Sequence, residues 1–151
     1  MTSIAERLMD HPFFADLPPD SVDLVAGCAK NVRFHTGEYL FREGEPADTF
    51  YVVRHGRVSL GARTPTGTRV VDTAEEGEVL GWSWLVPPYR WTFDGRAVDD
   101  VRAVSFDGAC LRGKCADDPV LGYDFLQRVL GVMSARLHSA RVRLLDLYGP
   151  P

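Results

Sequence analysis

The stretch that decides the fold lies between residues 37 and 58 and reads GEYLFREGEPADTFYVVRHGRV. Two short apolar runs, Tyr39-Leu40-Phe41 and Thr49 to Arg54, are each followed within a few residues by a glycine, Gly44 and Gly56. Glycine supplies the positive φ that tight turns need. Short strands separated by such turns are typical of a β-sandwich or β-barrel. We therefore predict several short strands joined by tight turns.

The same pattern extends on both sides of this stretch and predicts a β region over residues 31–107. Before it, we expect a helical lead-in over residues 1–30, with a helix from about Pro19 to Ala29. Pro12 ends an earlier short helix, because a proline disfavours the α conformation in the residue before it.

The last part of the chain predicts one long helix within residues 118–148, ending before Gly149-Pro150-Pro151. Its apolar residues recur at steps of four and three, which is the a/d pattern of a coiled-coil seam. This stripe consists of Leu126, Leu130, Met133, Leu137, Ala140, Leu144 and Leu147. Two interpretations remain open: the stripe forms a homodimer interface, or it packs entirely within one chain.

Composition limits the function classes. The chain has 151 residues, enough for one domain, with 17 Lys and Arg against 21 Asp and Glu, a net charge of −4. That balance argues against nucleic-acid binding through the overall electrostatic field of the protein.

No apolar run reaches the roughly 18 residues of a membrane span, and the N-terminus lacks a signal peptide, so we expect a cytoplasmic protein. The three cysteines, Cys28, Cys110 and Cys115, are interpreted as free thiols.

Residues 37–58 resemble the front half of a cyclic-nucleotide-binding domain, as found in catabolite activator proteins and protein kinase regulatory subunits. The family pattern is roughly G-E-x-L-x-x-x-G-x-x-A-D-x-x-Y/F-x-V-x-x-G-x-V, and nearly every fixed position is matched. The resemblance extends over essentially the whole chain, including the lead-in from His11 to Leu17. It implies a mainly β fold, an antiparallel jelly roll with N-terminal helices and a long C-terminal helix that dimerises in the family's transcription factors.

The same resemblance places the family's phosphate-binding cassette within residues 77–97. In the family, a cassette glutamate accepts the ribose 2′-OH and an arginine pairs with the cyclic phosphate. Here Trp82 stands at the glutamate position and Trp91 at the arginine position, unless a one-residue slip makes Arg90 that arginine. The candidate ligand-binding residues are Gly81, Trp82, Ser83, Trp84, Leu85, Arg90, Trp91 and Thr92.

Two functional hypotheses follow. In the first, the chain is a non-catalytic sensor or scaffold domain that acts through a protein partner or another small ligand, because both anchors for cAMP are replaced. In the second, it is a true cyclic-nucleotide receptor with a noncanonical aromatic pocket.

A jelly-roll metal enzyme is disfavoured, because the four histidines are dispersed without an HxH pair. The chain ends without the family's helix-turn-helix, so we expect no direct DNA binding.

Overall fold

A computed structural model of the chain describes residues 3–148, and the helix end predicted at Gly149-Pro150-Pro151 lies outside those residues. The first elements are helical and the middle of the chain is β. In chain order, the elements are α1 (Ile4–Met9), a 3-10 turn (Pro12–Phe14), α2 (Pro19–Ala26), β1 (Ala29–Phe34), β2 (Tyr39–Phe41), β3 (Thr49–His55), β4 (Val58–Thr64), β5 (Gly67–Ala74), β6 (Val79–Leu80), β7 (Asp94–Ala97), β8 (Val101–Asp107), α3 (Gly108–Asp117) and α4 (Pro119–Tyr148).

The strands form two four-stranded antiparallel sheets. One has the order β1-β8-β3-β6 and the other β2-β7-β4-β5. Most connections cross from one sheet to the other, whereas β4 and β5 are joined by a turn within one sheet. This mainly β architecture with N-terminal helices and a long C-terminal helix confirms the predicted fold class.

Strand β3 shows how the core is built. Its side chains alternate, as a strand requires. Tyr51 and Val53 belong to a buried apolar cluster that takes residues from both sheets. Phe50, next in line, instead joins Phe13 and Phe106, with ring centroids 5.4 and 5.5 Å from its own. The apolar run in the β3 sequence therefore serves two clusters, one on each face of its sheet.

The chain forms two compact units, residues up to Lys114 and residues from Cys115 onward. The second unit is mainly α4, which is the long C-terminal helix predicted from the sequence. Most of its heptad stripe is exposed to solvent, with Leu137 52% exposed, while Met133 and Ala140 are half-buried. Among residues 3–148, no helix is apolar enough over a sufficient length to cross a bilayer. The interpretation as one domain stays a prediction.

Helix α3 was not predicted. Its residues lie in the segment that the sequence analysis assigned to neither the β region nor the terminal helix. The reason is physical: α3 has almost no apolar periodicity, and of its ten residues only Gly108 and Leu111 are buried. A helix that buries so little leaves a weak signal in the sequence.

The expectation that all three cysteines are free thiols is wrong for two of them. Cys28 and Cys110 form a disulfide, with their Cα atoms 5.7 Å apart, and Cys115 is free. The pairing of β1 with β8 sets Ala29 opposite Phe106, which brings the residue before β1 close to the start of α3. Spacing along the chain could not reveal this, because the two cysteines are 82 residues apart.

We expect reduction of this disulfide to lower the free energy of unfolding by about 2–4 kcal/mol, because a link across a long segment restricts the unfolded chain. The measurement is urea denaturation of the oxidised and the dithiothreitol-treated protein. Cys115→Ser is the matched control, since it removes a thiol but leaves the Cys28–Cys110 link and should retain the difference. Identical urea midpoints with and without reductant would contradict the expectation.

Candidate functional site

The cassette segment leaves β6 at Gly81 and returns to the sheet at β7. It begins with a turn in which the Trp82 carbonyl accepts the N–H of Leu85 at 3.0 Å, and it contains a cis peptide bond between Pro87 and Pro88. Within these residues the structure has turns and bends but no α-helix. Pro87 and Pro88 oppose a helix here, because each lacks a backbone N–H and disfavours the α conformation in the residue before it.

The end of the cassette is held by the loop between β2 and β3. The N–H of Ala47 donates to the Tyr89 carbonyl at 2.7 Å, and the N–H of Trp91 donates to the Glu45 carbonyl at 3.0 Å. The N–H of Gly44 donates to the Trp91 carbonyl at 2.9 Å. These bonds set Arg90 opposite Pro46 in an isolated antiparallel bridge, with Arg90 exposed and Trp91 buried. The two candidates for the arginine position therefore face opposite ways.

Trp91 is the residue that faces inward. Its side chain is only 7% exposed and belongs to the apolar cluster between the two sheets. The indole lies flat on the ring of Phe41, with centroids 3.7 Å apart and planes 8° from parallel. An aromatic pair in such contact adds to the burial of two large rings. Trp91 therefore occupies the interior of the β region with a neutral ring.

Two glycines make room for this stack. A Cβ added at Gly95 would lie 2.5 Å from the Phe41 ring, and one added at Gly81 would lie 2.8 Å from the Trp91 indole. Gly81 also has φ +93°, a conformation that L side chains rarely adopt. Any larger residue at either position would displace an aromatic ring, so both glycines are required for the packing.

Trp84 is the most buried residue of the cassette, at 0% exposure. Its indole Nε1–H donates to the Gly81 carbonyl at 2.9 Å, and its ring lies 5.9 Å from that of Phe50. Arg112 of α3 donates to the Trp84 carbonyl, and its guanidinium lies 4.5 Å above the Tyr89 ring. Arg112 was not among the predicted site residues, because 28 residues separate it from Trp84 and no local motif links them.

The remaining candidates lie nearer the surface. Arg90 is exposed and donates through Nη1 to the Gly44 carbonyl at 3.1 Å, and Thr92 is exposed as well. Three further candidates are half-buried: Trp82, Ser83 and Leu85. The structure thus separates the predicted set into two enclosed indoles and a more accessible group. It does not bring Arg90 and Trp91 to one face.

Arg96, near the end of the cassette, is a surface residue. It is exposed on β7, its Nε donates to the Gly37 carbonyl at 2.9 Å, and its guanidinium lies 5.1 Å from the Tyr39 ring.

The four histidines are spread over the chain, and among residues 3–148 no three His, Cys, Asp or Glu side chains are grouped as metal ligands would be.

Asp94, at the start of β7, is a buried charged residue that the sequence analysis missed. Its carboxylate accepts the Glu43 N–H at 2.7 Å and pairs with the Arg63 guanidinium at 3.3 Å. Burial by itself raises the pKa of Asp94, but these hydrogen bonds and the Arg63 charge outweigh burial, and the net pKa is below the usual value. Asp94 thereby ties the end of the cassette to the β2–β3 loop.

The cyclic nucleotide-binding domain model matches residues 31–118, which is more than half of the chain. The chain therefore belongs to the cyclic nucleotide-binding domain family. The match includes the strands, the cassette and α3.

Particular relatives agree with this assignment. The CRP-like cAMP-activated global transcriptional regulator of Mycobacterium tuberculosis is 29% identical over 135 residues, covering 89% of this chain and 58% of that protein. A Geobacter metallireducens protein described as a cyclic nucleotide-binding protein has a crystal structure with TM-score 0.82 and 32% identity, covering 91% of this chain and 100% of that one. The sensor domain of the Pseudomonas aeruginosa regulator DNR shares the fold, with TM-score 0.71 and 23% identity over 93% of this chain and 92% of that one.

The chain accordingly spans little more than half the length of the mycobacterial regulator.

We expect Asp94→Asn to lower the free energy of unfolding by about 1 kcal/mol at neutral pH, because an amide accepts a weaker hydrogen bond than a carboxylate. The depressed pKa means that the stabilising contribution is complete above the ordinary Asp pKa, about 4, and is lost as the pH falls through the folded-state pKa. Urea denaturation between neutral and acid pH measures this.

In that series, the gap between the unmodified chain and Asp94→Asn should close only at acid pH. Asp99→Asn is the exposed comparison, since Asp99 also pairs with an arginine, Arg57, but lies nearer the surface. A gap for Asp94→Asn that is independent of pH would show that the carboxylate charge is not what stabilises the fold.

Proposed function

We propose that this chain is a non-catalytic regulatory domain of the cyclic nucleotide-binding fold whose cassette does not bind cAMP in the family's ordinary way. It senses another small ligand or acts as a scaffold, working through a protein partner. The observation that carries the proposal is the buried stack of Trp91 on Phe41, which fills the interior with a ring at the position of the family's arginine.

The affinity for a cyclic nucleotide depends on the glutamate and the arginine that hold its ribose and phosphate in the family. A hydrogen bond to a charged group contributes about 1.5–3 kcal/mol, and the family resemblance assigns both nucleotide anchors to tryptophans here. Losing both would weaken a micromolar ligand to roughly millimolar. The neutral, enclosed indole of Trp91 offers the phosphate no compensating charge. The interior contact therefore favours a closed site or an apolar ligand over a cyclic phosphate.

The similarity to known regulators supports a regulatory role for this chain. Its relatives include a cAMP-activated transcriptional regulator and the sensor domain of another regulator. By analogy, this chain reports a signal rather than catalysing a reaction, and its output passes through protein contacts. The cytoplasmic location stays a prediction, and the free-thiol argument for a reducing compartment no longer supports it, since two cysteines are bonded.

The surface for such contacts is the stripe along α4. Its leucines are exposed although they are apolar, and Leu130 is 60% exposed. Exposed apolar surface of this extent marks interaction sites. The a/d spacing is the pattern by which two identical helices pack, so the proposed occupant of this face is a second copy of the chain.

The first experiment is a thermal-shift screen of the unmodified chain with millimolar cAMP, cGMP and cyclic dinucleotides. A ligand at 100 times its Kd would stabilise the fold by about 2.7 kcal/mol and raise Tm by several degrees. We expect no shift with any of these nucleotides. A saturable shift with cAMP or cGMP would overturn the proposal.

A second candidate function is a true nucleotide receptor, favoured by the exposed guanidinium of Arg90 and hydroxyl of Thr92 at the end of the cassette. It predicts a nucleotide shift that Arg90→Ala abolishes, while Arg69→Ala on the exposed part of β5 leaves it intact. Arg90→Ala is preferred to Trp91→Arg, because the latter would place a charge in the apolar core.

Dimerisation is tested by sedimentation. We expect the unmodified chain to sediment at twice the mass of one chain and Leu137→Asp to sediment at the single-chain mass, because a charge in the seam opposes packing. Ala135→Asp is the matched control, as it places the same charge on the other side of α4 at an exposed position. A Leu137→Asp protein that keeps the double mass would refute this interface.

A further inference from the structure

A cavity of about 380 Å³ lies outside the nucleotide cassette, between the N-terminal helical segment and the sheet that contains β3. Its wall is formed by α1, the turn after it, β3, and the turn between β5 and β6. Of the cassette range 77–97, only Gly77 lines it. Its chemistry is therefore independent of the indoles that fill the interior.

Two arginines line this cavity from separate elements, Arg7 from α1 and Arg54 from β3. Both side chains are half-buried. Within residues 3–148, neither has a carboxylate oxygen within 4 Å of its guanidinium, in contrast to Arg33 and Arg57, which are paired with aspartates on the surface. The cavity thus holds two guanidinium groups that have no direct carboxylate partner among the described residues.

The surroundings of Arg54 disfavour its positive charge. Burial and the positive charges of Arg7 and Arg102 all lower the pKa of Arg54, so its surroundings penalise the charged form. An arginine stays protonated in proteins regardless. The way to relieve the penalty is a negative charge placed between the guanidinium groups, which are the preferred donors to phosphate oxygens.

The other groups that line the cavity are two carboxylates and an apolar wall. Asp10 and Glu76 also line it, but both are exposed, and neither forms an ion pair with the arginines. Leu8 and Pro12 add an apolar wall. The volume of the cavity exceeds what a bare phosphate needs, so it has room for a small organic group beside the charge.

His11 is a further lining residue of this cavity. Its Nδ1 accepts the N–H of Phe13 at 3.1 Å, which leaves the proton on Nε2. The Nε2 atom is buried, and no acceptor among the described residues meets it in good hydrogen-bond geometry. Burial lowers the pKa of His11, and the nearby backbone of Gly77 acts in the opposite direction. The imidazole is therefore a neutral part of the cavity wall, and the arginines carry the positive charge.

We propose that this cavity binds a small phosphate monoester, with the phosphate between Arg7 and Arg54 and the organic group against Leu8 and Pro12. Two guanidinium groups match the charge of a dianion, and a monoester is largely dianionic above about pH 7. This site is a second input to the domain, separate from the cassette, and it does not depend on the proposed function of the cassette.

The test is an NMR titration of the unmodified chain with phenyl phosphate and with inorganic phosphate, at about pH 8 and constant ionic strength. We expect saturable shifts centred on the Arg54 and Gly77 signals, with the Gly67 signal on the other sheet as the internal control. Phenyl phosphate should bind more tightly than inorganic phosphate, because it also covers the apolar wall. Equal affinities would overturn the organic part of the proposal.

Variants complete the test. Arg7→Met and Arg54→Met keep an apolar stem and should each weaken phenyl phosphate binding about 10-fold or more, while Arg69→Met on exposed β5 should leave it unchanged. Thermal unfolding of each variant verifies that it folds. The proposal is overturned if both variants bind as the unmodified chain does, if no saturable shift appears at tens of millimolar ligand, or if the shifts centre on residues 81–92 of the cassette. Because the unmodified chain is itself titrated, a variant that fails to fold leaves the proposal testable.

Discussion

The flat stack of Trp91 on Phe41 is the contact on which the cassette's arrangement depends. It joins a residue of the cassette to a strand of the sheet, with ring centroids 3.7 Å apart. Gly95 and Gly81 lack side chains where the rings lie, so the stack also dictates two small residues in the sequence. Trp91 is held inside, and the neighbouring Arg90, bridged to Pro46, is exposed. One aromatic contact thereby decides which side chain can meet a ligand.

The two buried tryptophans, Trp84 and Trp91, pack in different parts of the domain. Trp91 joins the cluster between the sheets, whereas Trp84 packs near Phe50 and hydrogen-bonds its own turn through Gly81. Arg112 then connects that turn to α3 by donating to the Trp84 carbonyl. A segment without regular secondary structure is in this way fastened on both sides. These contacts make the cassette a well-packed segment of the domain.

Fold and ligand recognition are encoded in different residues of this family member. The positions that shape the strands and turns, such as Gly44 and Gly56, match the family pattern and produce the family's sheets. The positions that the family resemblance assigns to the nucleotide anchors carry tryptophans, Trp82 and Trp91, in the proposed alignment of the cassette. Turn glycines act through backbone conformation and stay useful whatever the domain binds, whereas anchor residues serve one ligand. The domain can therefore keep its architecture while its cassette changes chemistry.

Local patterns were enough to predict much of this protein. The alternation in β3, the turn glycines and the heptad stripe of α4 are properties of neighbouring residues, and they indicated strands, turns and a long helix in the right order. The aromatic cluster around Trp84 and Trp91 was also visible in the sequence, together with the doubt between Trp91 and Arg90.

Contacts between distant residues were decided by the tertiary structure. The disulfide between Cys28 and Cys110 follows from the pairing of β1 with β8, and the partners of Trp91 and Asp94 come from strands far away in the chain. The cavity at Arg7 and Arg54 likewise arises where α1 meets β3. Short-range patterns report how each segment bends and which face is apolar. They carry no information on which segments meet, because that choice depends on the packing of the whole core.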